Sequence, residues 1–438
     1  MLIVFYEIIS QHRGEYAFLP LRETDQNMII RNIQVFLPDK SFHKGCIVTK
    51  DDKIERIYTQ KEEEGSWEMD DPNLMEDAFS IWRGKPGFRD RQDIIDGRGA
   101  YAIPGLIDLH FHGCRGDDFC DGSMEAIKRI AEYEASVGVT AIAPATMTLP
   151  VSKLVSILRT SAEYRREVCD EGIARLVGIN MEGPFISSAK RGAQDAKYII
   201  PCDASVCDRF LEASGGLVKF IGIAPEASED AISFIRRVKD RVHVALAHTD
   251  ADYETALAAF RAGADHLVHM YNAMPPFGHR APGVIGAALD RPEVMCEIIC
   301  DGIHVHPSAI RAAFRMMGEE RMVLISDSMR GTGMPDGRYT LGGQEVDVRG
   351  RRATLVRDGS LAGSVTNLMD CLRTAVREAG IPLETAVVCA TRNPAEALGI
   401  LDHYGTLEEG KMADVVLLDR NLGLQGVIVR GRMRVGEK

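Results

Sequence analysis

Two histidines one residue apart, His110 and His112, close the apolar run GLIDLHFHG at residues 105–113. Residues i and i+2 of a strand face the same side, so both imidazoles can aim at one point. Five more groups of similar chemistry stand at the ends of other apolar runs. They are Glu182 in RLVGINMEGPF, His248 in VHVALAHTD, His269 in HLVHMYNAM, His304 in CEIICDGIH and Asp327 in MVLISDS. Singly, each has an ordinary structural explanation: a histidine at a strand end is usually just hydrogen-bonded, Glu182 could cap the next segment, and Asp327 could be a helix N-cap. Chance does not easily account for seven such groups at the same end of successive runs. Imidazoles and carboxylates together suit Zn2+ or Fe2+, with Mn2+ and Co2+ as alternatives. Such a cation lowers the pKa of bound water and polarises a carbonyl. Asp327 is not needed as a ligand, and is placed to take a proton from the water and return it to a leaving group. The chemistry expected is hydrolysis of an amide, an ester or a related C–N bond.

These groups need a scaffold that brings strand ends together. From residue 101, eight short apolar runs alternate with amphipathic stretches such as SMEAIKRIAEYEASVG and YETALAAFRAG. Near-continuous apolar strands separated by helices indicate a parallel sheet. Eight such units predict an α/β fold, a (β/α)8 TIM-like barrel whose strand C-termini open on one active face. The sixth crossover, at 275–294, carries PPFGHRAPGVIG where a plain helix is expected. Short strand-like segments flank the barrel on both sides, and predict a small β-sandwich domain formed by the N- and C-terminal segments. The expected division is 1–27 as an appendage, 28–100 with 335–365 and 401–438 as the β domain, and 101–334 with 366–400 as the barrel. Residues 61–92, rich in charge, Gly and Pro, read as a loop excursion.

Composition narrows the function classes. The chain has 438 residues, 45% of them hydrophobic and 26% charged, an ordinary globular composition. Its net charge is −12, from 52 basic and 64 acidic residues. No basic stripe is present, so nucleic acid is not an expected partner. No run reaches the roughly 20 apolar residues that span a bilayer, so no membrane is expected either. Ten scattered cysteines form no CxxC pair, which fits a reducing cytoplasm. The apolar start MLIVFYEIIS lacks the basic flank and cleavage site of a signal peptide.

The motifs PGLIDLHFHG, MEGPF, AHTDA, HMYNAMPP, DGIHVHP and SDSM, extended by KRGAQDAKYI, MPDGRYTLGG, GSLAGS and GTLEEGKMADVVLLD, resemble those of the N-acetylglucosamine-6-phosphate deacetylases of the amidohydrolase superfamily. The match runs over roughly residues 28–432. The HxH pair marks only the superfamily; MEGPF, YNAMPP and DGIHVHP are more specific. The resemblance implies removal of acetate from an amino sugar 6-phosphate, in amino sugar catabolism and cell-wall recycling. It implies a catalytic divalent metal on Glu182, His248 and His269. In some members the HxH pair binds a second, so His110 and His112 allow one or two ions per subunit. Asp327 matches the catalytic aspartate, and His304 a substrate-contacting histidine. Asn272 and Ala273 match a phosphate-contacting pair, Ala273 through its backbone N–H. Arg280 matches a phosphate-binding arginine often given by the neighbouring subunit, which implies a homodimer. Its alternative is a plain surface charge, and that of Asn272 a turn cap. Gln194 stands where some members have a histidine near the sugar phosphate, and Ser328 where alanine is common.

His266 and His306 read as supporting residues near the site, His43 and His243 as unrelated to it, and Cys114 as no ligand. The N-acetylgalactosamine-6-phosphate epimer is an alternative substrate. Other amidohydrolases are the nearest rivals; those with a carboxylated lysine after the fourth strand are disfavoured, since that run ends IGIAPEAS without lysine. A non-catalytic sugar-phosphate sensor is a further alternative, but such a protein should have lost some of these chemical groups.

Overall fold

Eight strands run parallel around a ring in the computed structural model, which describes residues 27–59, 93–168 and 172–435. The expected appendage, apart from Asn27, and the excursion at 61–92 lie outside the described residues. In chain order the barrel strands are Leu106–Asp108; Val139–Ile142 continued by Ala145–Thr146; Arg175–Leu176 continued by Ile179–Phe185; Val218–Ile223; His243–Leu246; His266–Leu267; Met295–Ile299; and Met322–Ile325. Each pairs with the next, as in Ile107 with Ala141, Met181 with Ile221, Leu246 with Leu267 and Ile298 with Leu324. The ring closes between the eighth strand and the first just past their ends. There the Asp327 amide donates to the His110 carbonyl at 3.0 Å, and the His112 amide to the Ser328 carbonyl at 2.7 Å. Closure of the barrel therefore fixes the backbone of three candidate site residues.

Helices cover the outer face, so the strands are buried on both sides and read as unbroken apolar runs. Met124–Ser136 follows the first strand and turns Ala126, Ile127, Ile130, Ala131 and Ala135 inward. Ser123 caps it by accepting from the Ala126 amide, and Asp252 caps Tyr253–Ala262 in the same way through Thr255. The sixth crossover holds only the seven-residue helix Gly283–Leu289. The irregular stretch before it contains Pro275, Pro276 and Pro282, which cannot supply amide donors to a helix interior.

The N- and C-terminal segments combine, as expected, into one β domain. Its seven-stranded sheet runs Arg432–Val435, Leu424–Val429, Val415–Leu418, Asp93–Pro104, Asn27–Phe36, Phe42–Lys50, Lys53–Thr59. Strand alternation gives the sheet two apolar faces. Ile30, Ile47, Ala102, Val415 and Ile428 form the domain's own core, whereas Ile103, Val416, Leu418 and Val427 join the barrel's.

The segment 335–365 departs from expectation. Its strands Gly337–Leu341, Gln344–Arg349 and Arg352–Leu355 form a separate three-stranded sheet and do not join the seven-stranded one. The reason is where its apolar side chains go. Leu341, Val346, Val348, Ala353 and Leu355 are buried in the barrel's cluster, and none lies in the core of the β domain.

Candidate metal centre

Glu182 lies at the middle of the site. It sits in the third strand, in the segment Ile179–Phe185, all of which is buried. The following Gly183 has φ +107°, and a Cβ there would meet the Thr148 hydroxyl at 2.3 Å, so only glycine fits. One carboxylate oxygen of Glu182 lies 2.9 Å from His248 Nε2, 2.9 Å from His269 Nε2 and 3.4 Å from His110 Nε2. The other is 3.4 Å from His112 Nε2 and accepts from the Gln194 amide at 2.6 Å. Asp327 Oδ1 is 3.3 Å from His112 Nε2 and 4.0 Å from His110 Nε2. Two triads place their ligand atoms within 4.8 Å of one another: His110, Glu182 and His269, and His110, His112 and Asp327.

The far ring nitrogens decide what these groups can hold. His248 Nδ1 faces the Lys190 carbonyl at 2.8 Å, and His269 Nδ1 the Asn272 carbonyl at 3.2 Å. A carbonyl only accepts, so each Nδ1 carries the proton and each Nε2 presents a lone pair in the neutral ring. His110 Nδ1 faces the Glu297 carboxylate at 2.8 Å with the same consequence, and its fully buried Nε2 has no hydrogen-bond partner. Lone pairs thus converge on carboxylate oxygens among buried side chains. Acceptors crowded against acceptors require protons or a cation between them, and this donor set fits a divalent ion.

Electrostatics agree. Burial opposes the Glu182 charge, but His248 and the other imidazoles hold its pKa well below the usual range. Burial likewise opposes ionisation of Asp327, and His112 overrides it, keeping Asp327 below the ordinary carboxylate value. This favours the carboxylate form of Asp327.

Backbone strain marks the same residues. His248, His269, Ala273 and Asp327 all have positive φ, at 45°, 27°, 52° and 49°. Non-glycine residues rarely adopt this conformation, and its clustering at strand ends is typical of a site.

A cavity of about 350 Å3 opens over the centre. His112, Glu182, Gln194, His248, His269, Asn272, Ala273, His304 and Asp327 line it. Its roof is Leu341 with residues 360–363, from the segment that left the β domain. His304 is held by Asp301, whose carboxylate meets its Nδ1 at 2.7 Å. Asn272 lines the cavity, and its amide makes only long contacts, 3.4 Å, to the His269 and Met270 carbonyls. Gln194, expected near the sugar phosphate, lines the cavity. Its amide is buried and occupied, donating to Glu182 and accepting from the Thr148 amide at 2.6 Å. Arg280 is exposed and does not line this chain's own cavity.

Of the remaining histidines, His306 caps the helix Pro307–Met317, His43 pairs with Asp39 and His243 with Asp265. Two site residues escaped sequence reasoning. Glu297 and Asn180 interrupt the apolar strands MCEII and INMEGPF, and a polar residue inside a fully buried strand was the available signal.

A profile of the amidohydrolase family matches residues 101–434. The chain belongs to the amidohydrolase family. This amidohydrolase is 38% identical to the N-acetylglucosamine-6-phosphate deacetylase of Vibrio furnissii over 332 residues, covering 76% of this chain and 82% of the relative. It is 36% identical to the N-acetylgalactosamine-6-phosphate deacetylase of Escherichia coli O157:H7, over 75% of this chain and 86% of the relative. An N-acetyl-D-glucosamine-6-phosphate deacetylase of Mycobacterium smegmatis, solved in complex with N-acetyl-D-glucosamine-6-phosphate, superposes with a TM-score of 0.80 at 28% identity. That superposition covers 94% of this chain and all of the other. Among the described residues, no helix of this amidohydrolase is long and apolar enough to cross a membrane.

Proposed function

We propose that the protein hydrolyses the acetamide of N-acetylglucosamine-6-phosphate, giving glucosamine-6-phosphate and acetate. The carrying observation is the Asp327 carboxylate set beside a histidine and carboxylate cluster fit to hold a cation, at the floor of an open cavity. Glu182, His248 and His269 would hold one divalent ion, and His110 and His112 would take part in holding a second. When bound, such an ion would supply an activated water and polarise the acetamide carbonyl. Asp327 accepts the proton of the attacking water as the C–O bond forms. It then delivers that proton to the sugar nitrogen as the C–N bond breaks. His304 orients the sugar, and Asn272 and Ala273 face its phosphate. The exposed Arg280 reaches the phosphate across a homodimer, where a guanidinium can grip it in bidentate fashion. The setting is the cytoplasm.

An acetate-release assay tests this with N-acetylglucosamine-6-phosphate, its galacto epimer and the unphosphorylated sugar, and with metal analysis of the same sample. Release from the phosphorylated gluco sugar is expected; no acetate from any of the three would refute the reading. The galacto epimer is the second reading, favoured by the Escherichia coli relative. Asp327→Asn should lower kcat by at least about 100-fold, since general acid–base groups contribute about 10^2 to 10^4, with the ion on Glu182, His248 and His269 retained.

A further inference from the structure

Beneath the centre lies a carboxylate that the hydrolytic reading does not use. Glu297 belongs to the seventh barrel strand and is fully buried. One of its oxygens meets His110 Nδ1 at 2.8 Å and accepts from the His269 backbone amide at 3.2 Å. The other meets His266 Nε2 at 3.0 Å and the Asn180 side-chain amide at 3.3 Å. All four partners lie on other barrel strands or just beyond their ends.

We propose that Glu297 is a positioning residue for the metal centre: it fixes His110 as the Nδ1–H tautomer with Nε2 bare toward the cation. The inference rests on the metal-centre reading above. His269 has its Nδ1 proton set by the Asn272 carbonyl of its own loop, and His248 by the Lys190 carbonyl from the loop after the third strand. His110 has no such carbonyl, and depends on a carboxylate 187 residues away. A carboxylate accepts on both oxygens, so it can satisfy His110 and His266 at once. An amide cannot. Glutamine at this position would turn an NH2 group toward one of two imidazole N–H donors, and relief would require a ring to change tautomer or rotate. Glu297 also puts a full negative charge directly behind a ligand, which makes the imidazole a stronger donor to a cation.

The test titrates the metal-stripped protein with Co2+ and follows its visible absorption. His110→Asn first identifies the Co2+ equivalent that depends on His110. In Glu297→Gln that same equivalent should bind about 10- to 100-fold more weakly, the usual effect of removing an orienting partner. Thermal unfolding in chelator shows whether the variant folds without metal. Unchanged Co2+ affinity in folded Glu297→Gln would overturn the proposal. If the wild type binds no Co2+, or His110→Asn loses none, the metal-centre reading itself fails instead.

Should Glu297→Gln not fold, the Zn2+-loaded wild type labelled with 15N-histidine decides the matter. The His110 signals, assigned by their loss in His110→Asn, should report a protonated Nδ1 and a metal-bound Nε2. The opposite tautomer would refute the role of Glu297.

Discussion

At the scale of single residues, one ring nitrogen of each main histidine is already committed. Lys190 and Asn272 use carbonyls for this, and Glu297 a carboxylate. His112 is the exception, since its buried Nδ1 has no partner. Burial disfavours a charge on His112, but Asp327 and Glu182 outweigh it and raise the pKa to about 10. In the metal-stripped protein this imidazole is therefore protonated at pH 8, and cation binding must expel the proton. Calorimetry of metal binding in buffers of different ionisation enthalpy should find at least one proton released per chain at pH 8. No release would mean the imidazoles are already neutral. The residue types and their placement at strand ends were legible in the sequence. The contacts of Gln194 with Glu182 and Thr148 were not, because the partners of a buried amide depend on residues far from it in the chain.

At the scale of elements, the site is set by how strands end and what covers them. Asp327 leaves the eighth strand in a left-handed conformation, and its carbonyl accepts from the Ser364 amide at 2.7 Å. Gly363, at φ +62°, threads between Met329, Leu341 and the Asp327 carbonyl. A Cβ there would lie 3.2–3.3 Å from all three. Gly363→Ala should cost about 1–2 kcal/mol for the left-handed backbone and push the roof against Asp327. The expected result is a lower Tm together with a several-fold lower kcat/KM, read by thermal unfolding and steady-state kinetics. Retention of both values would show that the roof has slack. Eight β/α units were readable from alternating apolar and amphipathic runs. The destination of 335–365 was not, since a short strand with period-two burial suits either sheet equally well.

At the scale of the whole molecule, the barrel carries a buried acid that has nothing to do with cations. Glu134 faces inward from the helix Met124–Ser136 and is 1% exposed. Neither carboxyl oxygen has a hydrogen-bond partner within normal geometry; the nearby Cys114 thiol is only a weak donor. Burial, reinforced by the charge of Asp108, raises its pKa well above normal. The native protein therefore holds a proton that the unfolded chain releases. The associated stability is complete below the ordinary glutamate value of 4.5 and is lost progressively as pH rises toward the raised native value. Glu134→Gln should remove this loss. Urea unfolding at pH 5 and pH 8 checks it: the wild type should weaken more between the two than the variant, and equal changes would assign the pH dependence elsewhere.

Chemistry that depends on local spacing was determined by the sequence alone. The i, i+2 spacing of His110 and His112 pointed to one shared target, which both reach from just past the end of the strand Leu106–Asp108, and the shared end of Glu182, His248, His269 and Asp327 follows from the polarity of parallel β/α units. Three matters were left to the tertiary structure: the partnership of Glu297 with His110, the roof taken from 335–365, and the exclusion of Arg280 from its own chain's cavity. Each depends on which surfaces meet when the barrel closes. Such contacts join residues far apart in the chain, and no local period encodes them.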